Sequence, residues 1–267
     1  MPAAALAVVP ASEMLELTGE WQPGAMVVGR TDPGTRVHFE SREVKVDGQG
    51  RFVVGLGRDA SGSVSLTLEN GSGKHTYRYS VAKREYAIQR IEGVPQETVT
   101  PPPEVLERIR KETALVKQAR AESAERDDFY RGFIKPLEGP ITGVYGSQRV
   151  YNGVPKRPHY GLDIARPVGT PVRAPAAGVV KLAHPDMYYS GGTMIIDHGY
   201  GISTTFIHLS KVLVEEGTFV EQGQDVALVG AGGRATGPHL DWRMNWYKVR
   251  LDPAMVLEHF SVPTAAP

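Results

Sequence analysis

The stretch "HYGLDIARPVGTPVRAPAAGVV", residues 159–180, decides the fold. Its β-branched residues lie in short runs between glycines and prolines, a pattern typical of strands joined by tight turns. The runs "GGTMIIDHGYG", "ISTTFIHLS" and "GTFVEQGQDVALVG" follow the same pattern. We therefore expect residues 133–260 to form a β unit.

Residues 15–95 also alternate strand-forming and polar residues, with turn signals such as Asp-Pro-Gly and Asn-Gly between the runs. This pattern predicts a small antiparallel sandwich and resembles bacterial immunoglobulin-like modules. Residues 96–132 contain three prolines followed by Glu, Arg, Lys, Ala and Leu, which predicts a linker helix lying on a neighbouring domain. Residues 1–14 are predicted to be a flexible tail or the remnant of an export signal.

Composition limits the function classes. The 267 residues carry 30 basic and 30 acidic side chains, so the overall charge does not favour nucleic acid as a partner. The chain has no cysteine, which excludes disulfides, thiolate metal sites and a cysteine nucleophile. No segment is apolar enough to predict a transmembrane span.

His159 and Asp163 are the first candidate metal ligands. Their i,i+4 spacing would suit a helix, but Pro155, Pro158 and Gly161 argue against one. In a straight strand four residues span about 13 Å, too far for one ion. Both can bind together only if the backbone bends, and Gly161 would permit a bulge. The alternative is a loop histidine beside a surface aspartate.

The segment "HLDWRMNW" (239–246) alternates like a strand. One face of this strand is apolar and consists of Leu240, Trp242 and Met244. The other face is polar and consists of His239, Asp241 and Arg243. Side chains two residues apart on one face are about 6 to 7 Å apart at their roots, so one could bind a metal while the other acts on a water. The alternative for this segment is a polar strand face that only contacts solvent. For His208, at the end of "ISTTFIHLS", the alternative is a histidine packed in the core.

Taken together, H-x-x-x-D at 159–163, "HLS" at 208–210 and "HLDW" at 239–242 resemble the lysostaphin-type (LytM-domain) zinc endopeptidases, which cut peptidoglycan peptide cross-links. The resemblance extends over residues 141–253. It implies an antiparallel β-sheet or half-barrel, a duplicated hybrid motif, with one zinc ion.

Carried over by position, the family's zinc ligands fall on His159, Asp163 and Asp241, and the residues that act on water and the transition state fall on His208 and His239. The family usually has histidine where this chain has Asp241. Two carboxylates would balance the charge of a divalent ion, so we expect a higher pH optimum and less selectivity for zinc. Asp241→His is expected to raise zinc affinity.

The resemblance predicts a zinc-dependent endopeptidase acting on peptidoglycan peptides in the periplasm or cell envelope, after removal of an export signal. The N-terminal module is a candidate docking surface for an envelope protein partner. A non-catalytic LytM-like module that binds murein or regulates an amidase is the alternative function. The runs "GTPVRAPAAGVV" and "GTFVEQGQDVALVG" also resemble the biotinyl/lipoyl carrier half-barrel, but only in fold, since no lysine stands in the expected turn.

Overall fold

The computed structural model describes residues 14–93, 102–121, 123–155 and 157–262. The predicted N-terminal tail and export signal therefore lie outside the described residues, except for Met14, as do linker residues 96–101 and 122. The fold is mainly β, as the sequence predicts. Neither α-helix in the described ranges is long and apolar enough to cross a bilayer.

The front part of the chain contains strands β1 (Leu15–Thr18), β2 (Met26–Thr31), β3 (Arg36–Phe39), β4 (Arg42–Val44), β5 (Arg51–Gly55), β6 (Ser63–Asn70), β7 (Gly73–Ser80) and β8 (Ile88–Ile91). The first seven form two small antiparallel sheets, with strand orders β1-β2-β5 and β4-β3-β6-β7. Alternate residues of β6 are buried, as expected for strands with one face on a core.

The linker contains a short 3-10 turn (Pro103–Val105) followed by helix α1 (Leu106–Ala119). The helix is shorter than the linker region predicted for residues 96–132. Its Val116 and Ala119 pack against Leu182, Met187 and Ile195 of the back sheet. The helix thus lies on a neighbouring sheet.

The back part of the chain contains strands β9 (Ile141–Gly143), β10 (Gln148–Tyr151), β11 (Val154–Pro155), β12 (Leu162–Ala165), β13 (Pro171–Arg173), β14 (Gly178–Met187), β15 (Gly191–Gly199), β16 (Ile202–Val212), β17 (Phe219–Val220), β18 (Asp225–Val229), β19 (His239–Trp246) and β20 (Val249–Leu251), followed by helix α2 (Pro253–Phe260). Most of these strands form one large sheet with the order β17-β14-β15-β16-β19-β12-β9; in addition β18 pairs with β13 and β16, and β20 pairs with β19. Strands β10 and β11 form a separate three-stranded sheet with β8. The apolar face predicted for β19 is fully buried.

Front and back share one continuous hydrophobic core. The rings of Phe39 and Trp246 meet edge to face at 6.0 Å, and Arg84 forms an ion pair of 2.5 Å with Asp252. Strand β8 also pairs in parallel with β10. The two predicted domains are therefore in direct contact.

His198 is a buried structural histidine on β15. Its Nδ1 donates to the Ala177 carbonyl at 2.7 Å, and its Nε2 accepts from the Thr204 hydroxyl at 2.9 Å. Burial lowers the pKa of His198 below its ordinary value. The folded protein therefore holds this ring neutral at pH values where the unfolded chain takes up a proton.

Acid should consequently destabilise the fold through His198. Below the unfolded-state pKa of about 6.5 the unfolded chain binds the extra proton, so the free energy of unfolding falls as pH decreases. We expect His198→Asn to be less stable than the wild type at pH of about 7, but to lose less stability between about pH 7 and pH 5. Urea denaturation at both pH values measures this difference, and parallel losses in the two proteins would contradict it.

Candidate metal centre

Three predicted ligands come together at one point of the back sheet. Asp163 on β12 lies directly opposite Asp241 on β19. His159 precedes β12, and its Nε2 lies 2.9 Å from Asp163 Oδ1 and 3.3 Å from Asp241 Oδ2. One potential ligand atom from each residue lies within 4.8 Å of the other two. All three side chains are buried.

Two glycines provide the space for the two carboxylates. A β-carbon at Gly143 would overlap Asp163 Oδ2, and one at Gly161 would overlap Asp241 Oδ1. Gly161 precedes β12, which begins at Leu162, so the chain bends before the strand. Gly161 therefore contributes by leaving space for the Asp241 carboxylate, because it has no side chain. From the sequence, its expected role was to permit a bulge within a strand.

Gly161→Ala should weaken metal binding. The added methyl group would push the Asp241 carboxylate out of place and contact Arg243 Cγ as well. Displacing supporting contacts at metal sites costs roughly 10–100-fold in affinity. We expect a loss of this order in zinc titrations, whereas Gly71→Ala, where a β-carbon meets nothing within 4 Å, should bind as the wild type does. Unchanged affinity in Gly161→Ala would show that the carboxylate can move freely.

The His159 ring is oriented so that a bare nitrogen faces the carboxylates. Its Nδ1 donates to the Val144 carbonyl at 3.1 Å, which leaves the Nε2 lone pair of the neutral ring toward Asp163 and Asp241. Burial opposes protonation of His159, but the charge of Asp241 and the hydrogen bonds to both carboxylates raise its pKa. Three acceptors facing one another require a cation between them, either a proton or a metal ion.

His208 and His239 lie beside this group, with their ring centres 4.8 Å apart. The Nδ1 of His208 donates to the Gly232 carbonyl and that of His239 to the Gly237 carbonyl, both at 2.8 Å. Each neutral ring therefore keeps Nε2 as an acceptor. The His239 Nε2 lies 3.8 Å from Asp163 Oδ1.

His208 occupies an unusual backbone position with φ of 64°. Non-glycine residues rarely adopt this left-handed conformation, so it indicates a position held by its surroundings. The amide of His208 donates to the Ser190 carbonyl at 2.7 Å. Burial lowers the pKa of His208 to about 4, so the ring is neutral near pH 7.

Arg243 is the residue whose role the sequence did not predict. Its Nε lies 2.9 Å from Asp241 Oδ1, and a terminal nitrogen lies 2.6 Å from Asp241 Oδ2, so the guanidinium binds the carboxylate through two bonds. Burial alone would raise the pKa of Asp241, but Arg243 and His159 hold it well below its usual range. The alternation of β19 predicts that Asp241 and Arg243 share one face of the strand. That shared face is the sequence signal from which their pairing could have been found.

Comparison with known proteins places the chain in a family. The family model "Peptidase family M23" matches residues 157–253, which include all five predicted site residues. A crystal structure from Pseudomonas aeruginosa assigned to peptidase M23 is 31% identical, with a TM-score of 0.70 over 91% of this chain and 96% of that one. The chain belongs to peptidase family M23.

Two curated relatives come from Vibrio cholerae. Peptidoglycan DD-endopeptidase ShyB is 43% identical over 115 residues, which are 42% of this chain and 24% of ShyB. Peptidoglycan DD-endopeptidase ShyA is 45% identical over 89 residues, which are 33% of this chain and 20% of ShyA. The alignments thus span a quarter or less of the length of these relatives.

Proposed function

We propose that this M23 protein is a zinc-dependent endopeptidase that hydrolyses peptide cross-links or stem peptides of bacterial peptidoglycan. The observation that carries the proposal is the convergence of His159, Asp163 and Asp241, whose acceptor atoms face one another in a buried site. The names of ShyA and ShyB support the substrate class.

The donor set fits one zinc ion. Zinc binds imidazole nitrogen and carboxylate oxygen, and a catalytic site has three protein ligands with one position left open. His159, Asp163 and Asp241 would supply those three ligands. When bound, the ion would act as a Lewis acid on the scissile carbonyl and favour ionisation of water.

The remaining polar residues would act on the substrate. His208 and His239 each direct Nδ1 at a backbone carbonyl, which fixes the ring and keeps Nε2 as a proton acceptor. Because His208 is neutral near pH 7, it can accept a proton from the attacking water as a general base. The Nε2 acceptor of His239 would take a hydrogen bond from the same water and orient it for attack. Arg243 would keep the Asp241 carboxylate in one orientation.

The front part of the molecule is proposed to serve this site indirectly. We propose that residues 15–95 form an immunoglobulin-like module, residues 96–132 a linker and residues 133–260 the peptidase unit, and that the front module binds an envelope protein. Since peptidoglycan lies outside the cytoplasmic membrane, the proposed location is the periplasm or cell envelope.

Metal analysis combined with murein digestion tests the function. The wild type should retain about one zinc per chain and release soluble fragments from purified murein. His159→Ala should lose both the zinc and the activity, whereas His208→Ala and His239→Ala should keep zinc but lose turnover by roughly 100-fold or more. His184→Ala, which changes a histidine outside the site, should behave as the wild type.

The same experiment separates the enzyme from a binding module. A wild-type protein that binds murein but retains no zinc and releases no fragments would show a non-catalytic LytM-like module. Equal zinc loss in the His159, His208 and His239 variants would overturn the assignment of ligands and catalytic residues.

A further inference from the structure

A row of arginines crosses the sheet face next to the candidate metal centre. Asp241, Arg243 and Asn245 are alternate residues of β19 and share one face. The neighbouring strands place Thr205 of β16 opposite Arg243 and Arg250 of β20 opposite Asn245.

The third arginine comes from the linker. Arg120, the C-cap residue that follows α1, donates to the Thr205 hydroxyl at 2.6 Å. Since Thr205 is the strand neighbour of Arg243, Arg120 and Arg250 flank the arginine that holds Asp241. Three guanidinium groups thus lie on adjacent strands and on the linker above them.

Only one of these three guanidinium groups has a carboxylate partner among the described residues, because Arg243 pairs with Asp241. Arg250 donates to the amide oxygen of Asn245 at 3.0 Å, and the Nε of Arg120 is buried without a hydrogen-bond partner. Neither Arg120 nor Arg250 forms an ion pair with a carboxylate in the described ranges.

Burial and repulsion by neighbouring arginines lower the pKa of both Arg120 and Arg250. Burial, and then repulsion by Arg250 and Arg243, lower the pKa of Arg120 below its usual range. Burial and repulsion by Arg243 lower the pKa of Arg250 to about 10. Buried charges are normally paired because an unpaired one is costly. Two arginines kept together without a directly paired carboxylate among the described residues indicate a site that gains its anion from a ligand.

The two arginines are held in place by their neighbours. The Tyr145 hydroxyl donates to the backbone carbonyl of Arg250, and the ring of Tyr160 lies 5.8 Å from its guanidinium. Arg120 and Arg250 are partly buried as whole residues, although the Nε of Arg120 is fully buried. Part of each arginine therefore remains in contact with solvent.

We propose that Arg120 and Arg250 form a subsite for a carboxylate group of the peptide substrate. This inference rests on the proposed function and adds the substrate chemistry, namely an acidic peptide. A planar guanidinium fork binds a carboxylate through two parallel hydrogen bonds, and two such groups select strongly for an anion.

The register of β19 gives the position of that carboxylate. Thr205 and Arg250 lie beside the residues two and four positions beyond Asp241, which corresponds to about 7 to 13 Å along the strand. An extended peptide advances about 3.3 Å per residue. The subsite thus selects a carboxylate two to four residues from the scissile bond.

Matched peptides test the subsite in the full chain. The probe is a cross-linked muropeptide with free carboxylates, compared with the same muropeptide after its carboxylates are converted to amides. Binding is measured by calorimetry to the His208→Ala protein, whose turnover of the probe should be lower by roughly 100-fold or more. Arg120→Gln and Arg250→Gln, each added to that protein, should weaken binding of the acidic probe at least tenfold and leave the amidated probe unchanged.

Two further variants separate binding from folding. Arg120→Lys keeps the charge but not the fork, so it should recover part of the affinity. Arg78→Gln removes an exposed arginine of β7 and should change nothing. Equal weakening of both probes by the arginine variants, or no weakening of either, would overturn the subsite.

Wild-type digestion distinguishes the two proposals. Under the subsite proposal, the wild type should cleave the acidic muropeptide with a lower KM than the amidated one. Cleavage of both muropeptides with equal KM would contradict the subsite proposal but would support the proposed function. Selective binding of the acidic muropeptide without cleavage of either muropeptide would contradict the proposed function but would support the subsite proposal.

Discussion

Asp241→Ala should lose zinc and murein hydrolysis together. The substitution removes one of three converging ligand atoms, and it leaves the Arg243 guanidinium facing His159 and Asp163 with no carboxylate between them. A cation in that position would repel a divalent ion. Zinc content and fragment release should therefore fall to background.

Asp225→Ala, which changes an exposed aspartate of β18, is the matched control and should retain both properties. Thermal unfolding of the zinc-free proteins would establish that Asp241→Ala still folds. If Asp241→Ala bound zinc tightly and still cleaved murein, Asp241 could not be a ligand.

Arg243→Met should have the second-largest effect, and it should act on stability. Without its guanidinium the buried Asp241 carboxylate keeps only the His159 ring as an ion-pair or hydrogen-bond partner, and breaking a buried ion pair costs about 3–5 kcal/mol. Zinc would replace part of the lost positive charge. We therefore expect a much lower Tm in the zinc-free variant and a larger rise in Tm on zinc addition than in the wild type.

Arg243→Lys is the conservative control for this prediction. It restores the charge without the two-bond geometry, so its Tm should lie between those of Arg243→Met and the wild type. An Arg243→Met protein whose Tm equals that of the wild type with and without zinc would show that the pair contributes nothing.

Arg243 also changes what Asp241→His should do. From the sequence, histidine at this position would restore the family's usual ligands and raise zinc affinity. In the structure, an imidazole would leave the partly buried guanidinium of Arg243 without its partner. The gain in affinity should therefore require Asp241→His combined with Arg243→Gln, and zinc titration of the two single variants and the double variant would measure the coupling.

The charge of the site follows from the same pair. The sequence indicated two carboxylates and hence a higher pH optimum. With Arg243 included, Asp163, Asp241 and Arg243 carry one net negative charge, as one carboxylate with two imidazoles would. The physical reason for a shifted pH optimum is thereby removed.

The candidate site was largely predictable because its motifs are local. H-x-x-x-D, "HLS" and "HLDW" each place polar residues at fixed positions of short segments, and the family resemblance supplied their assembly. The strands were visible because alternation is also local. The immunoglobulin-like nature of the front module remains a prediction.

Long-range contacts were not predictable. The space that Gly143 leaves for Asp163 depends on the pairing of β9 with β12, which no single segment specifies. The sequence gives Arg243 only as a polar residue of a strand. Its role depends on its ion pair with the buried Asp241 carboxylate, which the sequence does not reveal. The link between Arg120 and Thr205 joins residues 85 positions apart.

The parallel pairing of β8 with β10 has a consequence for biosynthesis. Residues Ile88–Ile91 leave the ribosome about 60 residues before Gln148–Tyr151, an interval of roughly 3–12 s at 5–20 residues per second. During this interval the nascent chain exposes a strand edge that can pair with another chain. Co-translational protection of that edge by a chaperone would then decide how much of the protein reaches its folded form.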